Sequence, residues 1–143
     1  MITADQILCH LVGDYLLQSD WQALEKVKKS TACLIHAIFY TLPFLFLTHS
    51  WKSLLIIAGT HFIIDRWRLA RYVCWVKNYL APKWIPGPFP NEPQRLRNYP
   101  WSECSVTGYH KDRPVWLAVW LLIIADNTMH LICNGLALRF MHG

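Results

Sequence analysis

Histidine–aspartate pairs in apolar surroundings are the feature that most limits how this chain can fold. The pairs are His10/Asp14, His61/Asp65 and Asp126/His130, and His36 stands alone in a further apolar stretch. A spacing of four residues places both side chains of a pair on one face of a helix, about one turn apart. Because burying ionisable groups in such surroundings costs free energy, the pairs predict a functional site inside a helical bundle.

The composition favours an integral membrane protein of one domain. Of 143 residues, 54 % are hydrophobic and eight are tryptophan, which is more apolar and aromatic than a typical soluble domain. The net charge of +5 would also suit a nucleic-acid-binding protein. However, the chain has no zinc-finger spacing and no glycine-rich phosphate loop, so no nucleic-acid partner is expected. The five cysteines include no C-x-x-C pair, and no disulfide framework is predicted.

The apolar segments predict an all-α fold, a four-helix transmembrane bundle with a long proline-rich cytoplasmic loop between helices 3 and 4. About 20 apolar residues are needed to cross a bilayer. The predicted spans cover about 4–18, 31–48, 51–73 and 114–138, and the loop covers 81–113. The loop holds most of the prolines, which exclude a regular helix there.

The distribution of lysine and arginine predicts the orientation. Residues 19–30 hold 3 of the 14 basic residues and residues 66–113 hold 9. The positive-inside rule therefore places both segments in the cytoplasm and both termini on the periplasmic side of a multi-pass protein. With this topology the buried histidines and aspartates of all four helices lie at a similar depth.

These side chains are of the types that bind transition metals. Imidazole and carboxylate together are the usual ligands of zinc, manganese or iron. The candidate ligands are His10, Asp14, His36, His61, Asp65, Asp126 and His130. They predict one or two divalent metal ions, most simply zinc or manganese. Two alternatives stay open at this point, a proton or ion relay and buried His–Asp hydrogen bonds that only join helices.

Further polar residues extend the site towards the cytoplasmic face. Gln18 continues the stripe of the first pair, and it is predicted to act beside the catalytic carboxylates Asp14 and Asp65, the alternative being a polar helix end at the membrane interface. Three arginines, Arg66, Arg68 and Arg71, follow Asp65 and could bind the phosphate of a substrate. Anchoring against anionic lipid is the alternative role for these arginines.

Several segments taken together carry a resemblance to a known family. They are HLVGDYLLQSDWQALEKVKK, LIHAIFY, HFIID and DNTMHL, and they follow one another in this order. In order and spacing they resemble an uncharacterised-domain family of small bacterial and phage integral membrane proteins, over residues 5–36, 55–66 and 120–131. More distantly, the chain is similar to inner-membrane metal-dependent hydrolases. The resemblance implies that the seven candidate ligands are the shared polar set and that the protein lies in the bacterial cytoplasmic membrane.

The leading functional hypothesis is a membrane-embedded metal-dependent hydrolase. Its substrate would be a phosphate-containing lipid or a nucleotide-like anion at the cytoplasmic face. One alternative is a phage or bacterial membrane interaction factor, active in exclusion or anti-defence, which would bind a host membrane protein through the 81–113 loop. The other is an ion or proton relay. The sequence predicts no oligomeric state.

Overall fold

The computed structural model describes residues 2–81 and 99–140. Over this part of the chain all regular elements are helical, which confirms the predicted all-α class. They are α1 (Ala4–Leu11), α2 (Asp20–Glu25), α3 (Ser30–Thr41), α4 (Trp51–Trp67), α5 (Ala70–Tyr79), α6 (Trp101–Cys104) and α7 (Val115–Phe140). A π-helical turn, Val12–Leu16, continues α1, and a 3-10 turn, Leu42–Phe46, continues α3.

The chain divides into two compact units, with the boundary inside α7. The first unit comprises Met1–Arg68 and Asn127–Gly143, and the second comprises Leu69–Asp126. The single domain expected from the length stays a prediction. Much of the predicted 81–113 loop lies outside the described residues, but its last part contains the short helix α6.

The membrane topology differs from the sequence-based prediction. Among the described residues, α7 is the one helix that is both long and apolar enough to cross a membrane. The apolar helical stretch Ser30–Phe46 is shorter, and α4 with its 17 residues reaches only about 26 Å. The described residues therefore contain one candidate membrane span where the sequence predicts four.

Local backbone signals explain why the other helices stop early. Pro43 lies in the 3-10 turn that ends α3, since proline cannot donate the next helical hydrogen bond. Helix α4 ends at Arg68, whose φ of 50° and ψ of 52° are left-handed. The predicted third helix through residue 73 is therefore two helices, α4 and α5.

Polar side chains occupy the centre of the first unit and large apolar side chains cover its surface. The fully buried residues include Gln6, His10, His36, His61, His130 and Asn134. In contrast, Leu16 is 77 % exposed and Phe46 is 91 % exposed. This is the reverse of the usual arrangement in a soluble domain, where charged and polar side chains are rarely buried.

A glycine allows the π-helical turn to approach α3 closely. A Cβ atom on Gly13 would lie 2.6 Å from the carbonyl oxygen of Tyr40 and 3.0 Å from its Cα. Such contacts are too short for a side chain, so only glycine fits at this position. Asp14 is the next residue, and the close approach therefore brings its carboxylate to α3.

The second unit is joined by aromatic and polar contacts around α5 and α6. Tyr72 stacks on Trp101 with ring centroids 4.5 Å apart, and the indole N–H of Trp75 donates to the carbonyl oxygen of Tyr99 at 3.1 Å. Within the same unit, Nε2 of His110 lies 2.6 Å from a carboxylate oxygen of Glu103. These contacts connect the described residues that follow position 98 to α5.

Candidate metal centre

Three helical elements of the first unit each bring part of one polar cluster. The π-helical turn supplies Asp14, α3 supplies His36, and α4 supplies His61 and Asp65 one turn apart. All four residues are buried, and one ligand atom from each lies within 4.8 Å of the others. This confirms the prediction that buried histidines and aspartates form a group able to hold a metal ion. The identity and number of the ions stay predictions.

Three of the four ligand atoms form an almost equilateral triangle. Nε2 of His36 lies 3.0 Å from Nε2 of His61. Oδ2 of Asp65 lies 3.3 Å from the first nitrogen and 3.2 Å from the second. Ligand atoms about 2.0–2.1 Å from one ion at tetrahedral angles are separated from each other by about 3.3 Å. The triangle therefore fits one face of a tetrahedral coordination sphere.

Asp14 lies beside this triangle, and one of its distances to the triangle is longer than those within it. Its Oδ1 is 3.2 Å from Nε2 of His36 but 3.9 Å from Nε2 of His61. The carboxylate is thus close enough to be a fourth ligand after a small movement. It is equally placed to accept a proton from a molecule bound at the fourth position.

With Asp65 ionised and His130 neutral, the hydrogen-bonded chain behind the triangle gives one assignment of the protons on His61. Nε2 of His130 donates to Oδ1 of Asp65 at 3.2 Å, because an ionised carboxylate can only accept. Nδ1 of a neutral His130 then accepts, and it lies 3.2 Å from Nδ1 of His61, which is left to donate. In this assignment Nε2 of His61 carries no proton and can bind a metal. Such an outer hydrogen bond is the usual way a ligand histidine is oriented.

Lys26 is the cation of this cluster. Its Nζ lies 2.7 Å from Oδ2 of Asp65, 3.4 Å from Nε2 of His36 and 3.9 Å from Oδ1 of Asp14. The side chain of Lys26 is 18 % exposed, against 8 % for Asp14 and 3 % for Asp65. Lys26 therefore offsets the carboxylate charge from the solvent side of the cluster.

The neighbouring lysines have a different partner. Lys28 and Lys29 lie 3.4 and 2.9 Å from the carboxylate oxygens of Glu25, on the surface. The hydrogen bond from Lys29 lowers the pKa of this half-buried carboxyl group below its ordinary value. Lys26 therefore contacts the buried cluster, whereas Lys28 and Lys29 pair with Glu25 outside it.

His10 belongs to a second polar network next to the metal cluster. Its Nδ1 lies 2.8 Å from the Tyr40 hydroxyl, and its Nε2 lies 2.7 Å from Oδ1 of Asn127. The Tyr40 hydroxyl also accepts from Nδ2 of Asn134 at 2.6 Å. The Tyr40 ring stacks on His61 with centroids 3.6 Å apart. Both ring nitrogens of His10 are therefore engaged, and the structure does not bring this predicted ligand into the four-residue group.

The remaining predicted site residues lie around this group in different ways. His130 contacts Asp65 through Nε2 and His61 through Nδ1, each at 3.2 Å. Asp126 lies half-buried one turn earlier on α7, at the end of the second unit. Gln18 follows the π-helical turn, and its Oε1 is buried without a hydrogen-bond partner among the described residues. A buried unpaired acceptor is costly, so this oxygen is a candidate for binding a ligand.

The three predicted substrate-binding arginines make contacts with the protein itself. Arg66 donates to the carbonyl oxygens of Val27 at 2.6 Å and Lys28 at 3.3 Å, and so fastens the turn that carries Lys26. Arg68 is the left-handed residue that ends α4. Arg71, in the second unit, donates to the carbonyl oxygen of Ser105. Their role in substrate binding stays a prediction, and the contacts of Arg66 favour a structural role.

Lys26 and Tyr40 are functional-site residues that the sequence did not predict. Lys26 is one of three lysines in a polar segment, and nothing in its spacing distinguishes it from its neighbours. Tyr40 follows His36 by four residues, so helical periodicity places both on one face of α3. That spacing is a signal that could have identified the tyrosine.

Comparison with known proteins places the chain in a family. The family described as "Protein of unknown function (DUF3307)" has a model that matches residues 2–85, which is more than half of the 143 residues. The chain belongs to this family. The matched region contains the four-residue metal group and Lys26, whereas His130 lies beyond it. No curated protein and no solved structure matches the chain.

Proposed function

We propose that this protein is a membrane-embedded, metal-dependent hydrolase of phosphate esters. Its substrate would be a phosphate-containing lipid or a nucleotide-like anion, approached from the cytoplasmic face. The observation that carries the proposal is the triangle of His36, His61 and Asp65, with Asp14 beside it. Two histidines and one carboxylate are a ligand set of catalytic zinc sites, in which the fourth position is left for water or substrate.

The residues of the cluster suit different roles in hydrolysis. A bound divalent ion would lower the pKa of its water to about 7 and polarise a phosphoryl oxygen. Asp14, whose Oδ1 lies 3.9 Å from Nε2 of His61, is placed to accept the proton of the attacking water. The water oxygen then forms a bond to phosphorus, the ester P–O bond breaks, and the leaving alkoxide takes up a proton. Gln18, with its unpaired buried oxygen, is a candidate for orienting the water or the substrate.

The hydrogen-bonded chain supports catalysis more than a purely structural role. Since Asp65 fixes the proton of His130, which in turn orients His61, the ligand nitrogen is held ready for an ion. In this arrangement the unprotonated nitrogen of His61 faces two further ligand atoms, Nε2 of His36 at 3.0 Å and Oδ2 of Asp65 at 3.2 Å. Preorganisation of this kind is what a metal site requires.

The surface of the first unit supports a membrane location. Large apolar side chains on α3 and α4 are exposed while the interior is polar. They include Leu34, Ile38, Leu55 and Ile63, together with Phe46 in the 3-10 turn. An exposed apolar surface of this kind marks a contact with lipid or another partner. We infer that α7 spans the bilayer and that the shorter helices of the first unit lie in the same apolar environment.

Metal analysis of the detergent-purified protein tests this proposal. The protein is prepared from washed membranes, and its recovery in the soluble fraction would contradict the membrane location. We expect close to stoichiometric zinc, manganese or iron in the wild type and its loss in His61→Ala and Asp65→Ala. His49→Ala is the matched control, because His49 is exposed and outside the cluster. Its metal content is expected to equal that of the wild type.

Activity is measured with the same preparations on bis(para-nitrophenyl) phosphate and on a phosphate-containing lipid. Hydrolysis should disappear after chelation and in His61→Ala, and return when the missing metal is added to the wild type. Asp14→Asn should still bind the metal through His36, His61 and Asp65, although more weakly, and should lose about 100-fold or more in rate, as expected when a general base is removed. Wild-type protein that binds no metal, or metal-loaded protein that hydrolyses neither substrate, would overturn the proposal.

A proton relay is the second candidate function. The specific observation in its favour is the continuous chain from His130 through Asp65 to Lys26. Chains of buried ionisable groups are also found in transporters. This alternative predicts proton flux into liposomes that survives chelation. A host-interaction factor would depend instead on the 81–113 loop, of which residues 82–98 lie outside the described structure.

A further inference from the structure

We propose that Lys26 and the metal ion compete for Asp65, and that the displaced ammonium group binds the anionic oxygen of the substrate. This inference rests on the proposed function, because it assumes that an ion occupies the cluster. It goes further by assigning the anion-binding residue and a regulation of metal affinity. Lys26 therefore has two positions, one on Asp65 and one facing solvent.

The competition follows from the distances around one oxygen atom. Oδ2 of Asp65 is both a corner of the ligand triangle and the partner of Nζ of Lys26 at 2.7 Å. The ammonium also lies 3.4 Å from Nε2 of His36, another corner. An ammonium at these positions repels a divalent ion held by the same two atoms, since both cations are attracted to the same carboxylate in a poorly solvated site.

The second position of Lys26 follows from its exposure and its side chain. Lys26 is the most exposed of the charged residues in the cluster, at 18 % against at most 8 % for the two carboxylates. A lysine has four flexible methylene groups, which let the ammonium group move by several ångströms without a change in the backbone. Once an ion neutralises Asp65, the anions left within reach of the ammonium group are Asp14, whose Oδ1 lies 3.9 Å from Nζ, and a substrate phosphate that enters from the solvent side.

The turn that carries Lys26 is built to stay in place during this change. Arg66 donates to the carbonyl oxygens of Val27 and Lys28, and α2 begins with a capping box between Ser19 and Gln22. The backbone on both sides of Lys26 is therefore fixed. Only the side chain of Lys26 has to move, so the exchange requires no rearrangement of the helices.

The test compares Lys26→Met with Lys28→Met, which removes a lysine of the same turn that pairs with Glu25 on the surface. Zinc affinity is measured by competition with a chromophoric chelator, and the affinity of the zinc-loaded protein for inorganic phosphate by calorimetry. We expect Lys26→Met to bind zinc about tenfold more tightly or better, because the competing charge is gone. The same variant should bind phosphate at least about tenfold more weakly, and Lys28→Met should match the wild type in both measurements.

The outcomes separate this inference from the proposed function. If the wild type binds no zinc, the proposed metal site is wrong. If the wild type binds zinc but Lys26→Met matches it in zinc affinity or in phosphate affinity, only the inference about Lys26 is overturned. If Lys26→Met does not fold, Lys26→Arg decides: retained phosphate binding supports the inference, and loss equal to that caused by an uncharged Lys26→Gln contradicts it.

Discussion

Gly13 connects the local backbone to the geometry of the metal cluster. An alanine at this position would place its Cβ 2.6 Å from the carbonyl oxygen of Tyr40 and 3.0 Å from Cα and Cδ2 of the same residue. Tyr40 cannot yield easily, because its ring stacks on His61 at 3.6 Å and its hydroxyl accepts from Asn134. The π-helical turn has to move away from α3 by about half an ångström or more to restore ordinary contact distances.

Two consequences of Gly13→Ala follow, one for stability and one for metal binding. Overpacking of this kind costs about 1–3 kcal/mol of unfolding free energy. Asp14 moves together with the turn, and its Oδ1 leaves its position 3.2 Å from Nε2 of His36. We therefore expect weaker zinc binding as well as lower stability.

Gly59→Ala is the matched control for this prediction. Gly59 lies inside α4, and a Cβ on it would meet no atom within 4 Å. Alanine is a better helix former than glycine by up to about 1 kcal/mol, so this variant should be as stable as the wild type or slightly more stable. Thermal unfolding in detergent and zinc competition check both variants. Equal melting temperatures for the two alanine variants would refute the close approach of the turn to α3.

Two further predictions concern the residues that support the cluster. Tyr40→Phe removes the hydroxyl that contacts both Asn134 and His10. We expect the free energy of unfolding to fall by about 1–3 kcal/mol while the zinc content stays at the wild-type level. Loss of zinc would show that Tyr40 positions the ligands through its hydroxyl. Arg66→Met removes the donors to the Val27 carbonyl and should lower the melting temperature and weaken phosphate binding through a loosened turn, with zinc binding retained. An Arg66→Met protein with wild-type stability that still fails to bind phosphate would instead indicate direct substrate contact.

Helical spacing in the sequence determined which side chains share a face. The i, i+4 interval of His61 and Asp65 placed both on one side of α4, and the same argument applies to Asp126 and His130 on α7. The apolar surroundings indicated that such groups would be buried for a reason. These inferences need only the period of the helix and the cost of burying charge, and both are local properties of the chain.

The membership of the metal group was decided by tertiary packing. Seven candidates were equivalent in the sequence, yet His10 bonds to Tyr40 and Asn127 while Asp14, His36, His61 and Asp65 converge. Periodicity gives the face of a helix but not the neighbour that this face meets. The choice depends on how closely two helices approach, and at Gly13 that distance is set by the absence of a single Cβ atom.

Span number and the role of Lys26 also depended on the folded chain. The left-handed backbone at Arg68 ends α4 before it reaches the predicted length, although arginine has no strong preference for that conformation. Lys26 contacts Asp65, which lies 39 residues further along the chain. The sequence does not distinguish Lys26 from Lys28 and Lys29, because the contact depends on how the turn folds. The sequence alone determined which ionisable groups lie in apolar surroundings, where burying them is costly. Only the tertiary structure decided which of them meet, because that depends on contacts between residues far apart in the chain.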